Sequence, residues 1–527
     1  MAERLLLLGD EAVALAAVHA GISGAYSYPG TPASEIFEQV EGLADRFGVH
    51  AAWSANEKVA YEEALGMSFA GKRALVSMKH VGLNVAADPF VNSAISGVNG
   101  GLVLAVADDP GMHSSQNEQD SRYYANFARI PCLEPANQQE AYEMTGEAFE
   151  LSERLGLPVM VRLTTRLAHS RADVAVGEPR GQNSLKKPAD VSAWTLLPGN
   201  ARRQYRKLLE KRPALLEASE APPYNVVDLS APDRSLGVIA SGIAYNYFME
   251  AVGGVSPYPY AKIGMYPLPV SAIRRLYEAV DRMLVIEEGY PFIEELMSGV
   301  VGCGKPVLGK LSGALPRTGE LTPELVAGAL GIGWEASEFA PFEPLAARPP
   351  ALCQGCPHAD TFRAMQEAIS IYEQPTVFSD IGCYTLGFYP PFQAIETCID
   401  MGASIGMATG AAHAGMFPVL CAIGDSTFCH SGMTPLIGAA RENVNIKVFI
   451  LDNGTVAMTG TQETMATGER LVALVVGLGV PREHVRTLVP LPRNHEENVR
   501  LIREEIEYEG LSVLIPQRPC IHLKRKV

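Results

Sequence analysis

Short apolar runs alternate with helix-like segments over the first 170 residues. The runs LLLLG, GAYSYPG, RALVSM, GLVLAVADD and PVMVRL predict strands, and the segments TPASEIFEQVEGLADRF and NEKVAYEEALGMSFAG predict helices. Pro32 follows Thr31 near the start of the first of these helices, which is a position that proline favours. This alternation is typical of a doubly wound α/β domain, which we place at residues 1–170.

Two later segments show the same alternation. Residues 171–234 are polar and turn-rich and then carry a basic-to-acidic helical stretch, so we interpret them as a partly helical connector. Residues 235–330 predict a smaller α/β domain with strands in SLGVIASG, YAKIGMYPL and DRMLVIEEG. Residues 350–520, introduced by the proline-rich EFAPFEPLAARPP, predict a third domain. The expected fold class is therefore α/β, with three doubly wound or open parallel-sheet domains.

The stretch GDSTFCHSGMTPLIGAARENVNIKVFILDN, from Gly424 to Asn453, is the most informative part of the chain. It joins the apolar run FPVLCAI to the apolar run VNIKVFIL, which predicts a βαβ unit. Such a unit brings both strand ends to one sheet edge, so Asp425 and Asn453 should lie side by side despite 28 positions of separation. Their oxygens and the carbonyl of Thr455 suit Mg²⁺, which usually completes its shell with phosphate oxygens. The stretch predicts a diphosphate cofactor; the alternative is an ordinary α/β unit with turn residues at its strand ends.

Composition and charge exclude several classes of function. The formal net charge of −16 argues against nucleic acid as a main partner. No run of eighteen apolar residues occurs, so no membrane span is expected. These features favour a soluble, cytoplasmic protein.

The cysteines point to a reducing compartment, because all nine are scattered rather than arranged as a disulfide framework. Cys353 and Cys356 form a C-x-x-C pair, which is half of a zinc site, but no second pair or H-x₃₋₅-H follows. No C-x₂-C-x₂-C-x₃-C-P run occurs, so a ferredoxin-type cluster module is not expected.

Several long strings carry a resemblance to a known family. The Gly424–Asn453 stretch resembles the thiamine diphosphate (ThDP) signature, with Ser426 in place of its third glycine and Asp452 in place of its first asparagine. YPGTPASEI, SANEKVAYEEALGMSFAGKRALVSMKHVGLNVAADP and DDPGMHSSQNEQDSR resemble the pyrimidine domain of the 2-oxoacid:ferredoxin oxidoreductases. CQGCPH, SDIGCYTLG and DMGASIGMATGAA resemble their diphosphate domain. The combination is most similar to the α subunits of the indolepyruvate:ferredoxin oxidoreductases, from residue 1 to about residue 520.

The resemblance implies a role for each domain and for individual residues. Residues 1–170 would be the pyrimidine-type and 350–520 the diphosphate-type ThDP domain, and 235–330 a domain like the transketolase C-terminal one. Glu57 would activate the aminopyrimidine, and Thr31 would lie near the substrate carboxylate. The metal ligands would be Asp425, Asn453 and Thr455; further cofactor contacts would be Cys356, His358, Cys383, Gly402, Ser404, Gly424 and Ser426; and the mouth of the cleft would be lined by His80, Asn84, His113, Ser115 and Gln116. Four residues keep a plainer alternative: His80 and His113 as core or surface histidines, Cys383 as a buried thiol, and Arg122, a possible anion contact, as an ordinary surface arginine.

The implied reaction is the oxidative decarboxylation of an arylpyruvate, with capture of the acyl group by coenzyme A. The implied partners are a small γ- or β-type subunit and ferredoxin or an iron–sulfur subunit in trans, in a dimer of heterodimers. We expect no iron–sulfur cluster in this chain, because the α subunits' C-terminal module would begin about where the chain stops and Cys520 alone cannot hold a cluster. The alternatives are a non-oxidative ThDP-dependent decarboxylase or carboligase, and a non-catalytic assembly subunit. The last is disfavoured because Glu57, Asp425 and Asn453 are all present.

Overall fold

The computed structural model describes residues 3–301, 304–334 and 350–523. The chain divides into two compact units, Met1–Phe339 and Ala340–Val527. Most of the proline-rich EFAPFEPLAARPP segment, which we expect to introduce the third domain, lies outside the described residues. The predicted domain boundaries stay predictions.

The strands of the first unit form one large sheet, one smaller sheet and a separate pair. Their bounds are β1 (Glu3–Leu8), β2 (Gly24–Ser27), β3 (His50–Trp53), β4 (Ala74–Lys79), β5 (Leu102–Asp108), β6 (Cys132–Leu133), β7 (Val159–Thr164), β8 (Arg171–Val176), β9 (Val226–Asp228), β10 (Gly237–Ser241), β11 (Tyr260–Ile263), β12 (Met265–Tyr266), β13 (Met283–Ile286) and β14 (Val307–Leu308). The large sheet has the order β12-β6-β7-β5-β4-β2-β3, and all its pairs are parallel except β12 with β6. Every residue of β4, β5 and β7 is buried, as expected for parallel strands covered on both faces.

The helices of the first unit follow the predicted alternation. Their bounds are α1 (Gly9–His19), α2 (Ser34–Phe47), α3 (Glu57–Phe69), α4 (His80–Ser96), α5 (Arg122–Ala128), α6 (Gln138–Leu155), α7 (Thr165–His169), α8 (Pro198–Glu210), α9 (Arg212–Glu220), α10 (Ala244–Ala251), α11 (Val270–Ala279), α12 (Phe292–Val301) and α13 (Pro323–Leu330). Local signals set several helix starts. The Asn56 side chain, for example, caps α3 by accepting the N–H of Val59 at 2.9 Å.

Two strand assignments differ from the simplest interpretation of the pattern. The LLLLG run is a strand, but β1 pairs with β8 in an antiparallel ribbon outside the large sheet. Part of the predicted connector is therefore a strand. The YAKIGMYPL run is two strands: β11 belongs to the smaller sheet, of order β14-β13-β10-β11-β9, while β12 adds to the edge of the large sheet. Residues 1–170 and 235–330 consequently lie in one compact unit.

A network of buried charges joins these two sheets. Arg122, which we expect at the surface, is instead only 1% exposed, because its guanidinium is enclosed by carboxylates. It contacts Asp120 at 2.5 Å and Glu287, which follows β13, at 2.9 Å. Arg162 on β7 pairs with Asp108 at 2.6 Å, and its guanidinium also donates to the Glu288 carbonyl. Each arginine thus links the large sheet to the carboxyl end of β13.

The second unit is one parallel sheet with helices on it. Its strands are β15 (Thr376–Ser379), β16 (Val419–Gly424), β17 (Lys447–Leu451), β18 (Val485–Leu488) and β19 (Ser512–Pro516), and its helices are α14 (Pro357–Ile369), α15 (Ala403–His413), α16 (Asp425–Thr427), α17 (Met433–Glu442), α18 (Gly468–Gly477) and α19 (His495–Glu507). The strand order is β15-β16-β17-β19-β18, and every pair is parallel. The predicted βαβ unit is present as β16, α16–α17 and β17.

The three mostly parallel sheets with their helices confirm the α/β fold class. Among the described residues, no helix combines the length and the apolar character that a membrane crossing requires.

The arginine network generates a test of stability. Arg122→Met should lower the free energy of unfolding by about 3–5 kcal/mol, because it leaves buried carboxylates without a counter-charge. Urea unfolding of the full chain measures the change. Arg154→Met, which removes an exposed ion pair with Glu147, is the matched control and should shift stability by less than about 1 kcal/mol. An equal, small effect for both variants would contradict this account of the network.

Candidate active site

Asp425 lies at the carboxyl end of β16 and is held by the backbone around it. Its Oδ1 accepts the N–H of Ser426 at 2.7 Å, and its Oδ2 accepts the N–H of Gly454 at 2.9 Å. Gly454 directly follows Asn453 at the end of β17, the parallel neighbour of β16. The fold therefore brings Asp425 to the loop that carries Asn453 and Thr455, as the βαβ pattern predicts.

The electrostatics at this edge favour a cation. Asp425 is 3% exposed and Asp452 is 5% exposed, and their carboxylates face each other. Burial, and then the charge of Asp452, raises the pKa of Asp425 to about 8. Asp452 itself accepts from Thr467 Oγ1 at 2.6 Å and from the Gly468 N–H at 2.7 Å, so it also caps the start of α18. A hard divalent cation would relieve the repulsion, and carboxylate, amide and carbonyl oxygens are the ligands that Mg²⁺ takes. The residues present therefore fit Mg²⁺.

His358 positions the Asn453 amide. Burial lowers the pKa of His358 to about 4, so its ring is neutral at physiological pH. Its Nε2 lies 3.2 Å from Asn453 Nδ2, which donates to it. Because Nδ2 faces His358, the amide oxygen Oδ1 points away from His358 and accepts the Thr455 N–H at 3.1 Å. His358 thus orients a predicted metal ligand from the first turn of α14.

Asp380 organises the Gly402–Ser404 turn and is absent from the residues that we predict from sequence. Its carboxylate accepts the N–H of Gly402 at 2.6 Å and the hydroxyl of Ser404, which is fully buried. Gly402 has φ +98°, and a Cβ there would lie 2.5 Å from Ser431 Cβ, so close packing requires this glycine. Asp380 directly follows β15, the same position that Asp425 takes after β16. This signal was available in the sequence.

Four cysteines of the second unit lie together. The pKa of Cys383 is raised to about 12, first by burial and then by the nearby thiols of Cys356, Cys520 and Cys353. The Cys520 N–H donates to the Asn453 carbonyl at 2.9 Å, which places Cys520 beside the Asn453 loop. No three of these four sulfur atoms lie within 4.8 Å of one another. The expectation of a cluster-free chain assumes that Cys520 stands alone, whereas the structure places three further thiols near it.

Glu57 in the first unit is placed by close helix packing. It opens α3 directly beyond β3 and is 5% exposed. The backbone of Gly82 on α4 lies against its carboxyl group: a Cβ on Gly82 would stand 2.6 Å from Glu57 Oε1. Only a residue without a side chain at position 82 leaves the Glu57 carboxyl where it is.

The ends of β4 and of the loop after β2 bring further predicted residues together. His80 follows β4 and is 1% exposed, and within the described residues neither of its ring nitrogens has a hydrogen-bond partner. Lys79, which we do not predict from sequence, donates to the Ser114 carbonyl at 2.7 Å, and burial lowers its pKa to about 8. The Ser114 hydroxyl donates to the Thr31 carbonyl at 3.3 Å. An amine, an imidazole and the Thr31 turn thus share the carboxyl edge of the large sheet.

Comparisons with known proteins identify the family. Residues 15–215 match the family model described as pyruvate flavodoxin/ferredoxin oxidoreductase, thiamine diP-bdg. Residues 380–482 match the C-terminal TPP binding domain of thiamine pyrophosphate enzymes. Indolepyruvate oxidoreductase subunit IorA of Methanothermobacter thermautotrophicus is 38% identical over 98% of this chain and 87% of its own length. The IorA of Archaeoglobus fulgidus is 39% identical over 98% of this chain and 86% of its own length.

The chain belongs to the IorA family. It is thus the catalytic subunit of a ThDP-dependent 2-oxoacid oxidoreductase. A solved 2-oxoglutarate:ferredoxin oxidoreductase from Magnetococcus marinus shares the fold at 16% identity, with a TM-score of 0.53 over 63% of this chain and 65% of that one.

Other predicted residues of this IorA-family chain have different partners in the structure. His113 is half-exposed, and its Nε2 lies 3.1 Å from Glu320. Asn84 accepts the Tyr124 hydroxyl at 2.5 Å, and Ser115 donates to Asp109 at 2.5 Å. Cys356 is buried and directly precedes α14, but its side chain makes no capping hydrogen bond. The roles of these residues stay predictions.

The contact between Gly82 and Glu57 generates a prediction. Gly82→Ala should lower turnover about 100-fold, because the added Cβ displaces the Glu57 carboxyl by an ångström or so. Gly66→Ala is the matched control: it is also a helical glycine, but its added Cβ meets nothing within 4 Å. Steady-state assays measure turnover, and thermal unfolding checks that both variants are folded. Equal turnover in the two variants would show that the Glu57 position is not critical.

Proposed function

We propose that this chain catalyses the Mg²⁺- and ThDP-dependent oxidative decarboxylation of an arylpyruvate to an arylacetyl-CoA. The observation that carries the proposal is the pair of buried carboxylates at the end of β16 and β17, beside an oriented asparagine. Relatives named for indolepyruvate, 36–39% identical over nearly the whole chain, support the arylpyruvate class. In balance, arylpyruvate and coenzyme A give the thioester, CO₂ and one proton, and two electrons leave.

The second unit would hold the diphosphate end of the cofactor. Asp425, the Asn453 amide oxygen and the Thr455 carbonyl would bind Mg²⁺, with His358 keeping the amide oriented. ThDP, when bound, supplies a carbon nucleophile and an electron sink for decarboxylation. Asp380 would contact neither Mg²⁺ nor ThDP in this scheme. Its role would be to hold the conformation of the Gly402–Ser404 turn through its hydrogen bonds.

The first unit would supply the proton chemistry. The Glu57 carboxyl would hydrogen-bond the aminopyrimidine nitrogen, in the same chain or in a second copy. Lys79 and the Thr31 turn would bind the carboxylate of the 2-oxoacid, since the Lys79 ammonium is largely buried and close to that turn. His80, with both ring nitrogens available, would hydrogen-bond the keto oxygen. We retain His113 as a contact at the mouth of the cleft.

The electrons would leave through a cluster held by this chain. Cys353, Cys356, Cys383 and Cys520 would supply the four thiolates that a [4Fe–4S] cluster requires, and a group in which no three sulfur atoms lie within 4.8 Å of one another suits a cluster better than a single ion. Such a cluster, when bound, accepts one electron at a time. This proposal replaces the expectation of no iron–sulfur cluster in this chain. Ferredoxin or an iron–sulfur partner would receive the electrons next, and a small γ- or β-type subunit would complete a dimer of heterodimers.

Turnover of the complex tests the proposed reaction. With indolepyruvate, coenzyme A, ThDP and Mg²⁺, the wild-type complex should reduce a viologen dye only when coenzyme A is present. Glu57→Gln should lower this rate about 100- to 10,000-fold, because the acid–base step is lost, while ThDP binding measured by calorimetry is retained. Glu62→Gln, on the exposed side of α3 and paired with Lys58, is the control and should keep full activity.

The same assay separates the alternatives. Steady release of an arylacetaldehyde, independent of coenzyme A and of the dye, would contradict an oxidoreductase and favour the non-oxidative decarboxylase. Full activity in Glu57→Gln would show that another acid activates the cofactor.

The cysteine group generates a separate prediction. Anaerobically purified protein should contain about four iron and four sulfide per site, and after reduction it should give an electron paramagnetic resonance signal of a [4Fe–4S]⁺ cluster. Cys383→Ser should lose the signal because one of four ligands is gone. Cys398→Ser, a half-buried cysteine of the same unit that hydrogen-bonds Thr385, should keep it. Identical iron content in Cys383→Ser and wild type would rule out this ligand set.

A further inference from the structure

Asp10 is a buried acid that the proposed reaction does not use. It lies in the first turn of α1 and is fully buried, and within the described residues neither carboxylate oxygen has a hydrogen-bond partner. Burial, the charge of Glu35 and then that of Glu11 raise its pKa well above the usual range. Buried polar groups are normally satisfied, so two orphaned oxygens on one side chain indicate a ligand at this point.

Glu35 and His169 complete a set of three ligands with Asp10. One ligand atom from each residue lies within 4.8 Å of the other two. Glu35 Oε1 is 3.5 Å from His169 Nε2, and the other oxygen, Oε2, is also buried without a partner among the described residues. Asp10 is 0% exposed, whereas the side chains of Glu35 and His169 are each 36% exposed. A ligand could therefore reach Asp10 from solvent past these two side chains.

The fold holds these residues through three helix ends. A Cβ on Gly9, the first residue of α1, would lie 2.2 Å from the Leu167 carbonyl, so the start of α1 packs directly on α7. His169 ends α7, and Glu35 is the second residue of α2. The first residue of α2, Ser34, accepts the Gly30 N–H at 2.9 Å and so links this helix start to the turn that carries Thr31.

We propose that Asp10, Glu35 and His169 bind a divalent first-row transition-metal ion. Two carboxylates and one imidazole are a donor set for Mn²⁺, Fe²⁺ or Zn²⁺, and two negative charges would be neutralised by a divalent ion. The bound ion would fix the starts of α1 and α2 to the end of α7. This site is separate from the ThDP cradle, whose proposed metal ligands are all oxygen atoms.

A proton is the competing occupant. In that case Asp10 would be a neutral acid beside a Glu35–His169 ion pair, and the hydrogen bond that the His169 ring donates to the Glu35 carboxylate raises the pKa of His169 accordingly. Metal binding requires neutral imidazole and ionised carboxylates, so uptake of the ion would release protons.

The experiment uses Mn²⁺ as the probe on the metal-stripped full-length complex without ThDP. Wild type should bind one more equivalent of Mn²⁺ than Asp10→Asn, and its pulsed electron paramagnetic resonance spectrum should show a ¹⁴N coupling from an imidazole ligand. His169→Ala should lose the ¹⁴N coupling, and its thermal midpoint should no longer rise with Mn²⁺. Glu11→Gln is the control, because its carboxyl accepts the Leu8 N–H at 2.8 Å rather than facing the site.

Each result decides the proposal. An extra equivalent and a ¹⁴N coupling that both depend on Asp10 and His169, but not on Glu11, support it. Equal Mn²⁺ stoichiometry in wild type and Asp10→Asn, or a ¹⁴N coupling that survives in His169→Ala, overturns it in favour of the proton. Circular dichroism verifies that each variant is folded. If Asp10→Asn does not fold, His169→Ala still tests the proposal, because it changes only a partly exposed side chain. The ThDP reaction is not part of any readout.

Discussion

Parallel strand pairing is the constraint on which both units depend. It sends the carboxyl ends of neighbouring strands to one edge, where the helices begin and the backbone N–H groups point outward. The residues that come directly after these strands are consequently polar. In the first unit His80 follows β4 and Asp109 follows β5, and in the second unit Asp380, Asp425 and Asp452 follow β15, β16 and β17. Much of the chemistry of the chain is concentrated at these points because parallel pairing brings side chains so distant in sequence together there.

Placing acids at buried strand ends requires compensation, and the chain uses three kinds. Asp380 is satisfied by neighbouring N–H groups and a serine hydroxyl, and the charge of Asp108 is balanced by the Arg162 guanidinium, which contacts its Oδ2. Asp425 and Asp452 face each other, and the repulsion between their carboxylates is left for a bound cation to relieve. The first two solutions stabilise the fold, whereas the third prepares a binding site. Neighbouring acids of one residue type therefore differ in role according to what compensates their charge.

Much of the architecture, and the Asp425–Asn453 part of the candidate site, could be predicted from local patterns. The alternation of apolar runs and helical segments predicts the α/β class, and the spacing around Asp425 and Asn453 predicts that these two residues meet, because a βαβ unit is a local structure. Arg122 and the cysteines could not be placed in this way. Arg122 is buried by Glu287, which is 165 positions away, and Cys520 joins Cys353 only when the chain end returns to the first loop of the unit.

The sequence by itself determined the periodicities, the family motifs and the residues that we propose as diphosphate and magnesium ligands, since these depend on neighbours along the chain. Tertiary structure alone decided which scattered groups meet. It moved β12 into the large sheet, gathered four thiols beside the Asn453 loop and enclosed Asp10 with Glu35 and His169. The physical reason is that burial and charge neighbours, which set protonation and ligand binding, arise from long-range packing that no local pattern records.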